Sequence, residues 1–340
     1  MLPNAIATPK EGSVTAYPRR VLAATFSAML LAATSGLPLA LAAEPAQKHF
    51  ASPEAAVSAL IAALEADDRT AILAALGADA KPLLESGDPV ADREGRERFV
   101  ASYEAAHALK KLSDAQVELV TGEDEWPFPI PLVKEAAGWR FDSAAGVEEI
   151  LDRRIGRNER FTIQACLAFV DAQREYYARS PDKDPLLHYA RRFMSSEGKR
   201  DGLYFPTAEG EEQSPLGSLF VQARAEGYKR EAGKPMAFHG YYYRMLEAQG
   251  PHAPDGDYGY VVDGKMLGGF AVVAYPATWD NSGIMTFLVN QDGVVYQKDL
   301  GPETEKLAQA IRSFDPDDSW KRVPEEDQAP EPPSDSVATE

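Results

Sequence analysis

Val57, Leu60, Ile61 and Leu64 recur at i, i+3, i+4 and i+7, the spacing that lines one face of a helix with apolar side chains. Ser52, Pro53 and Glu54 stand just before them: a capping hydroxyl, a residue suited to the first helical position and a carboxylate for the positive end. The stretch "SPEAAVSALIAALEADDRTAILAAL" is expected to hold this helix followed by a second short one, and "REGRERFVASYEAAHAL" another, which places His107 on a helix. The period then shortens. "QVELVTG" and "PLVKEAAGWRFD" predict strands, the latter a hairpin about "KEAAG". "WPFPIP" between them holds three prolines, so it must be an edge, a bulge or an extended crossing.

Beyond "RRIGRNE" the chain predicts a helix capped by Asn158 and running to Tyr177. Ile163, Cys166, Leu167, Val170 and Tyr177 share one face; Thr162, Ala165, Phe169, Ala172 and Tyr176 share the next. Only Arg160, Gln164, Asp171 and Glu175 are left for water, an apolar arc wider than a one-sided surface helix needs. The expectation is a helix clamped between the first part of the protein and the sheet of the second. "SPDKDP" ends it, a long loop follows to Pro215, and "SLFVQARAEGY" is a short helix. From Phe238 strands dominate, with Asp263-Gly264 and Asp292-Gly293 expected as two-residue hairpin turns. A last helix carries Leu307, Ala310, Ile311 and Phe314. The expected class is α+β, helices and antiparallel strands segregated along the chain. Residues 43–155 make an N-terminal α+β domain, 156–323 the central helix with an antiparallel-sheet domain, and 324–340 a disordered, proline- and acid-rich tail.

Residues 1–42 stand apart from this pattern. Arg19 and Arg20 precede "VLAATFSAMLLAATSGLPLALA", and Ala40-Leu41-Ala42 fits a small-x-small cleavage site; this is the layout of a secretory signal. The expected destination is the periplasm or the extracellular space. Pro18 before the arginine pair favours the Sec route over Tat. No later stretch is long and apolar enough to span a bilayer. The net charge of -18 argues against a nucleic-acid or anionic-lipid partner, both of which attract lysine and arginine surfaces. Cys166 is the single cysteine, so an exported chain has no internal disulfide, and the thiol is expected buried and inert.

Candidate chemistry is sparse. The five histidines lack zinc-site spacing, and neither a metal nor a cofactor is expected. Ser196-Glu197-Gly198-Lys199 matches a Ser-x-x-Lys pattern without its companion motifs, and Asp255-Gly256-Asp257 reads as a turn rather than a calcium loop. Arg153, Arg154 and Arg157 are expected in an ion-pair network with Glu148, Glu149 and Asp152. His107 with Asp142 is the weak catalytic alternative, an acid–base pair in an N-terminal pocket. Tyr241 and Tyr243 on one strand face, with Trp279 in the loop "ATWDNSG", form the expected binding surface.

"WPFPIPLV", "GWRFD", "RRIGRNE", "AQREYY", "HGYYYR", "AQGPHAP", "GGFAVVAYPA" and "NSGIMTFLVNQDGVVYQKDLG" together resemble a bacterial secreted family, domain of unknown function 2950, from about Phe50 to Val323. The family has no assigned activity, so the resemblance implies export to the cell envelope and carries no catalytic residue. The N-terminal half is also similar to the cone of nuclear-transport-factor-2-like proteins, and the C-terminal half resembles the globular head of a pseudopilin; such fold analogies carry no function. The expectation is an exported envelope protein with a non-enzymatic binding or assembly role, its partner another envelope protein; the alternative is a periplasmic hydrolase or lyase. Intact-mass analysis of the exported protein should find Ala43 at the amino terminus; a retained Met1 in a cytosolic protein would contradict export.

Overall fold

A cap from Ser52 starts the first helix: its Oγ accepts from the Ala55 amide at 3.2 Å. The computed structural model describes residues 46–208, 210–229 and 235–328; the expected signal segment and the tail beyond 328 lie outside the described residues. The sequence led to an α+β protein, and the structure is one. Helices α1 (Pro53–Glu65), α2 (Arg69–Leu76), α3 (Lys81–Leu84) and α4 (Pro89–Ala105) lead into an antiparallel sheet. Its strands are β1 (His107–Ser113), β2 (Gln116–Thr121), β3 (Trp126–Pro127), β4 (Leu132–Glu135) and β5 (Gly138–Phe141), in the order β1-β2-β4-β5. The proline-rich segment forms the two-residue edge β3 on β2, as its missing amide donors require. Val57, Leu60, Ile72, Leu119, Leu132 and Phe141 anchor this first core.

His107 opens a strand and not the end of a helix. Ala106 is extended (φ −161°, ψ 144°), and His107 pairs with Thr121. The Gly122 amide reaches both the Ser102 and Ala106 carbonyls, so pairing with β2 overrides the local helix preference of "EAAHAL".

Helix α5 (Val147–Arg179) has 33 residues, about 50 Å of rise. It begins eleven residues before the expected cap. Asn158 lies mid-helix and donates from Nδ2 to the Ser282 carbonyl at 2.9 Å. Gly146 precedes the helix because a Cβ there would stand 2.2 Å from the Pro129 carbonyl oxygen. The expected boundary at 155/156 therefore falls inside one continuous helix. Its first half (Val147, Ile150, Leu151) packs into the first core. Its second half (Ile163, Cys166, Phe169, Val170, Tyr176) packs into a second core.

The wide apolar arc is clamped, though by different surfaces than expected. The second sheet covers one side, and the chain from Tyr189 to Leu216 covers the other. Phe169 meets Phe270 edge-on at 5.5 Å and Phe193 at 5.7 Å. Gln173, buried despite its polarity, exchanges two hydrogen bonds with the Ala190 backbone at 2.8 and 2.9 Å. Tyr177 remains exposed.

After α6 (Gly217–Ala225) come β6 (Tyr241–Leu246), β7 (Ala248–Gln249), β8 (Tyr258–Gly259), β9 (Val261–Val262), β10 (Lys265–Met266), β11 (Ala271–Pro276), β12 (Met285–Asn290) and β13 (Tyr296–Asp299), then α7 (Thr304–Ala310) and β14 (Lys321–Arg322). The main sheet runs β14-β13-β12-β11-β6; β7 pairs with β8 and β9 with β10. Arg244 donates to the Ala308 and Ile311 carbonyls at 2.9 and 2.7 Å, closing the C-terminal end of α7. Asp263-Gly264 is a two-residue turn between Val262 and Lys265, both left-handed (φ 48° and 80°). Asp292-Gly293 is not: the last pair there is Leu288 with Tyr296, because Val295 turns away to accept from the Val323 amide. Helix α7 stops at Ala310, leaving Leu307 exposed and Phe314 buried beyond it through backbone bonds to Ala248 and Gly250. Nor is the tail free from its start. Residues 325–328 form a 3-10 turn, and Gln164 donates to the Gln328 carbonyl at 2.7 Å.

Asp88 ties the two cores. It is buried; Oδ1 caps α4 by accepting from the Val90 and Ala91 amides, while Oδ2 accepts from the Tyr228 hydroxyl at 2.8 Å and the Gly240 amide at 2.9 Å. Replacing Asp88 with Ala removes a cap and leaves buried donors unpaired, so urea denaturation should show about 3 kcal/mol less stability. An unchanged midpoint would contradict this linkage.

Candidate functional site

Against the first core, where α5 runs on toward the second, lies a cleft of about 490 Å³, within the range of small-molecule sites. Helices build it by their periodicity. Ile150, Arg154, Arg157, Asn158 and Phe161 stand at i, i+4, i+7, i+8 and i+11 of α5, one stripe facing the opening. Asp92, Gly95 and Phe99 do the same from α4, and Leu60 and Leu64 from α1. Leu83 and Leu84 come from α3. The lining is thus apolar side chains joined by a set of arginines.

Gly95 is the odd residue of α4. A Cβ there would meet nothing within 4 Å, so the position opens onto empty cleft. Glycine inside a helix costs about 1 kcal/mol relative to alanine, and no close contact in the fold asks for it.

The charges are unevenly answered. Arg98 pairs with Glu94 and Arg96 with Asp67, each at 2.7 Å. Arg154 donates to the Pro82 and Leu83 carbonyls and to Asn281 Oδ1 at 3.0, 2.6 and 2.6 Å. Burial lowers its pKa, opposed by the charge of Asp92. Arg157 has no hydrogen bond or ion pair among the described residues. The residue is exposed to water, yet the protein around the guanidinium lowers its pKa, followed by the charges of Arg98, Arg154, Arg160 and Arg153. Asp92 is buried; its Oδ2 accepts from the Ser86 amide at 3.0 Å, while Oδ1 lacks a hydrogen-bond partner and lies 3.9 Å from Arg154 Nη2.

His239 completes the rim. Phe238 and Tyr241 exchange backbone bonds around His239-Gly240, both left-handed (φ 48° and 77°), so a tight turn interrupts the expected strand and presents the ring. It stacks on Phe161 at 3.6 Å, and its Nε2 lies 2.9 Å from Glu226 Oε2. Burial lowers its pKa against the opposing charge of Glu226.

The residues singled out from sequence lie elsewhere. Register pairs Tyr241 with Pro276 and Tyr243 with Ala274, on the face under α5. Tyr241 has no exposed surface and donates to the Met285 carbonyl at 3.0 Å; Tyr243 donates to Thr162 Oγ1 at 3.2 Å. Trp279 is half-buried and donates to Asp299 Oδ1 at 2.9 Å. The three share no exposed face. His107 and Asp142 do not meet: His107 stacks on Tyr103 at 3.8 Å on edge strand β1, while Asp142 follows β5 at the opposite edge and accepts from Arg140 at 3.1 Å. Cys166 is fully buried, which pushes its thiol up to about 12. Ser196 bonds Asp201 at 2.9 Å, and Asp255 and Gly256 form a left-handed turn. The expected ion pairing holds for Arg153, which bonds Glu149 at 2.7 Å, and not for Arg157. Asp182, Asp184 and His188 gather within 4.8 Å at the end of α5, where Lys265 already donates to Asp184.

Sequence reasoning passed over this cleft. Its signal was available in the helical spacing of Arg154, Arg157 and Phe161, and was hidden by starting the helix at Asn158. No helix among the described residues is long and apolar enough to cross a membrane. No curated protein and no solved structure matches the chain, and the cone and pseudopilin likenesses find no support there. A family model described as protein of unknown function (DUF2950) matches residues 47–323, and the chain belongs to that family.

Proposed function

We propose that this is an exported, non-enzymatic protein of the cell envelope that binds a small molecule in the cleft between α5 and the first core. Gly95 carries the proposal. A helix gives up about 1 kcal/mol there and in return leaves open space lined by Leu64, Phe99 and Phe161. Stability surrendered without a packing reason is typical of a binding site. Export rests on the layout of residues 1–42 and the family likeness. The hydrolase or lyase alternative loses its acid–base pair, because His107 and Asp142 sit at opposite sheet edges.

Gly95→Leu separates binding from folding. It restores helix propensity by about 0.8 kcal/mol and places a side chain in the opening. The variant should melt at or above the temperature of the parent. Native mass spectrometry of mature protein purified from the exporting cell should find a small-molecule adduct on the parent and none on the variant. The same adduct on both, or none on either, would overturn binding in the cleft.

A further inference from the structure

We infer that the cleft takes an amphiphilic anion: a carboxylate or phosphate head anchored by Arg157, an apolar body against Leu64, Phe99 and Phe161, and a hydroxyl within reach of Asp92. This rests on the cleft-binding proposal above and adds the chemistry of the ligand.

The head follows from charge. Five arginines line the cleft against Asp92 and Glu94, in a chain of net charge -18. Among the described residues Arg157 has no carboxylate within ion-pair distance. The helix itself supplies none: the positions three and four residues from Arg157 are Arg153, Arg154, Arg160 and Phe161. Like charges at these spacings destabilise a helix, and Arg157 alone faces three such neighbours. A bound anion reverses that repulsion, and a guanidinium offers planar paired donors that match a carboxylate or phosphate.

The body and the hydroxyl follow from the remaining lining. Leu64, Leu84, Phe99 and Phe128 are only half-buried against the first core, so an apolar body entering the cleft covers surface that folding leaves wet. Asp92 Oδ1 is a buried acceptor without a hydrogen-bond donor among the described residues. A ligand hydroxyl supplies one, and an unpaired buried acceptor is costly enough to discriminate for it.

The test measures displacement of anilinonaphthalene sulfonate fluorescence from the mature protein by decanoate, decyl phosphate, decanol and a hydroxydecanoate. Charge-assisted hydrogen bonds contribute about 1.5–3 kcal/mol, so the better anion should compete about tenfold or more tightly than decanol. Whichever of decanoate and decyl phosphate wins identifies the head. Arg157→Gln should erase the preference over decanol without changing the melting temperature, since Arg157 holds no other group among the described residues. Hydroxydecanoate should exceed decanoate; equality would remove Asp92 from the ligand. Decanol competing as well as the anions, or full anion affinity in Arg157→Gln, would overturn the anionic ligand while leaving a neutral cleft ligand standing. No probe binding at all, in the parent as in Gly95→Leu, would overturn both proposals.

Discussion

Everything in this protein is referred to α5. A helix of 33 residues buries one end in the first core and the other in the second, and among the described residues no pair of strands connects the first sheet with the main sheet. Its length is possible because each half finds its own cover. The first half lies against α3 and the first core, the second between the main sheet and the irregular chain from Tyr189 to Leu216. Tertiary burial, more than intrinsic propensity, holds such a helix together; "RRIGRNER" contains a glycine and a run of like charge, yet it stays helical.

The same constraint makes the cleft. Two cores are strung on one rod, and the gap falls beside the first, where α5 passes on toward the second. Asp88, Arg154 and Asn281 bridge it with hydrogen bonds to backbone and side-chain atoms of the opposite part. These fix the spacing of the walls. What the bridges leave open is lined by Gly95, Arg157 and Phe161. Within this small region the chain departs from its own local rules three times: a glycine inside a helix, like charges at helical spacing, and a buried carboxylate oxygen without a donor. Departures gathered in one place mark a functional region better than any of them alone.

Local patterns were easy to read where local energetics decide. The Ser52 cap, the α1 face, the "KEAAG" hairpin, the proline edge and the Asp263-Gly264 turn are set by residues within a few positions of one another. Errors arose where distant partners decide. The end of the "EAAHAL" segment, from His107, became a strand because β2 was there to receive it. The Asp292-Gly293 turn widened because Val323 drew Val295 aside. Tyr241 and Tyr243 suggested a sticky surface because an alternating aromatic strand does not reveal which face another helix covers.

By itself the sequence determined the class, the succession of helices and antiparallel strands, the wide apolar arc of α5 and the inert burial of Cys166. Each follows from periodicity and from the cost of exposing apolar surface, which are properties of neighbouring residues. Only the tertiary structure decided that Arg157 meets no carboxylate among the described residues, that Gly95 opens onto a cleft and that His239 stacks on Phe161. Glu148, Glu149 and Asp152 are near Arg157 in sequence, but 3.6 residues per turn carries them to other faces of the helix. An unanswered charge is a statement about every group that surrounds it in space, and a sequence orders only those along the chain.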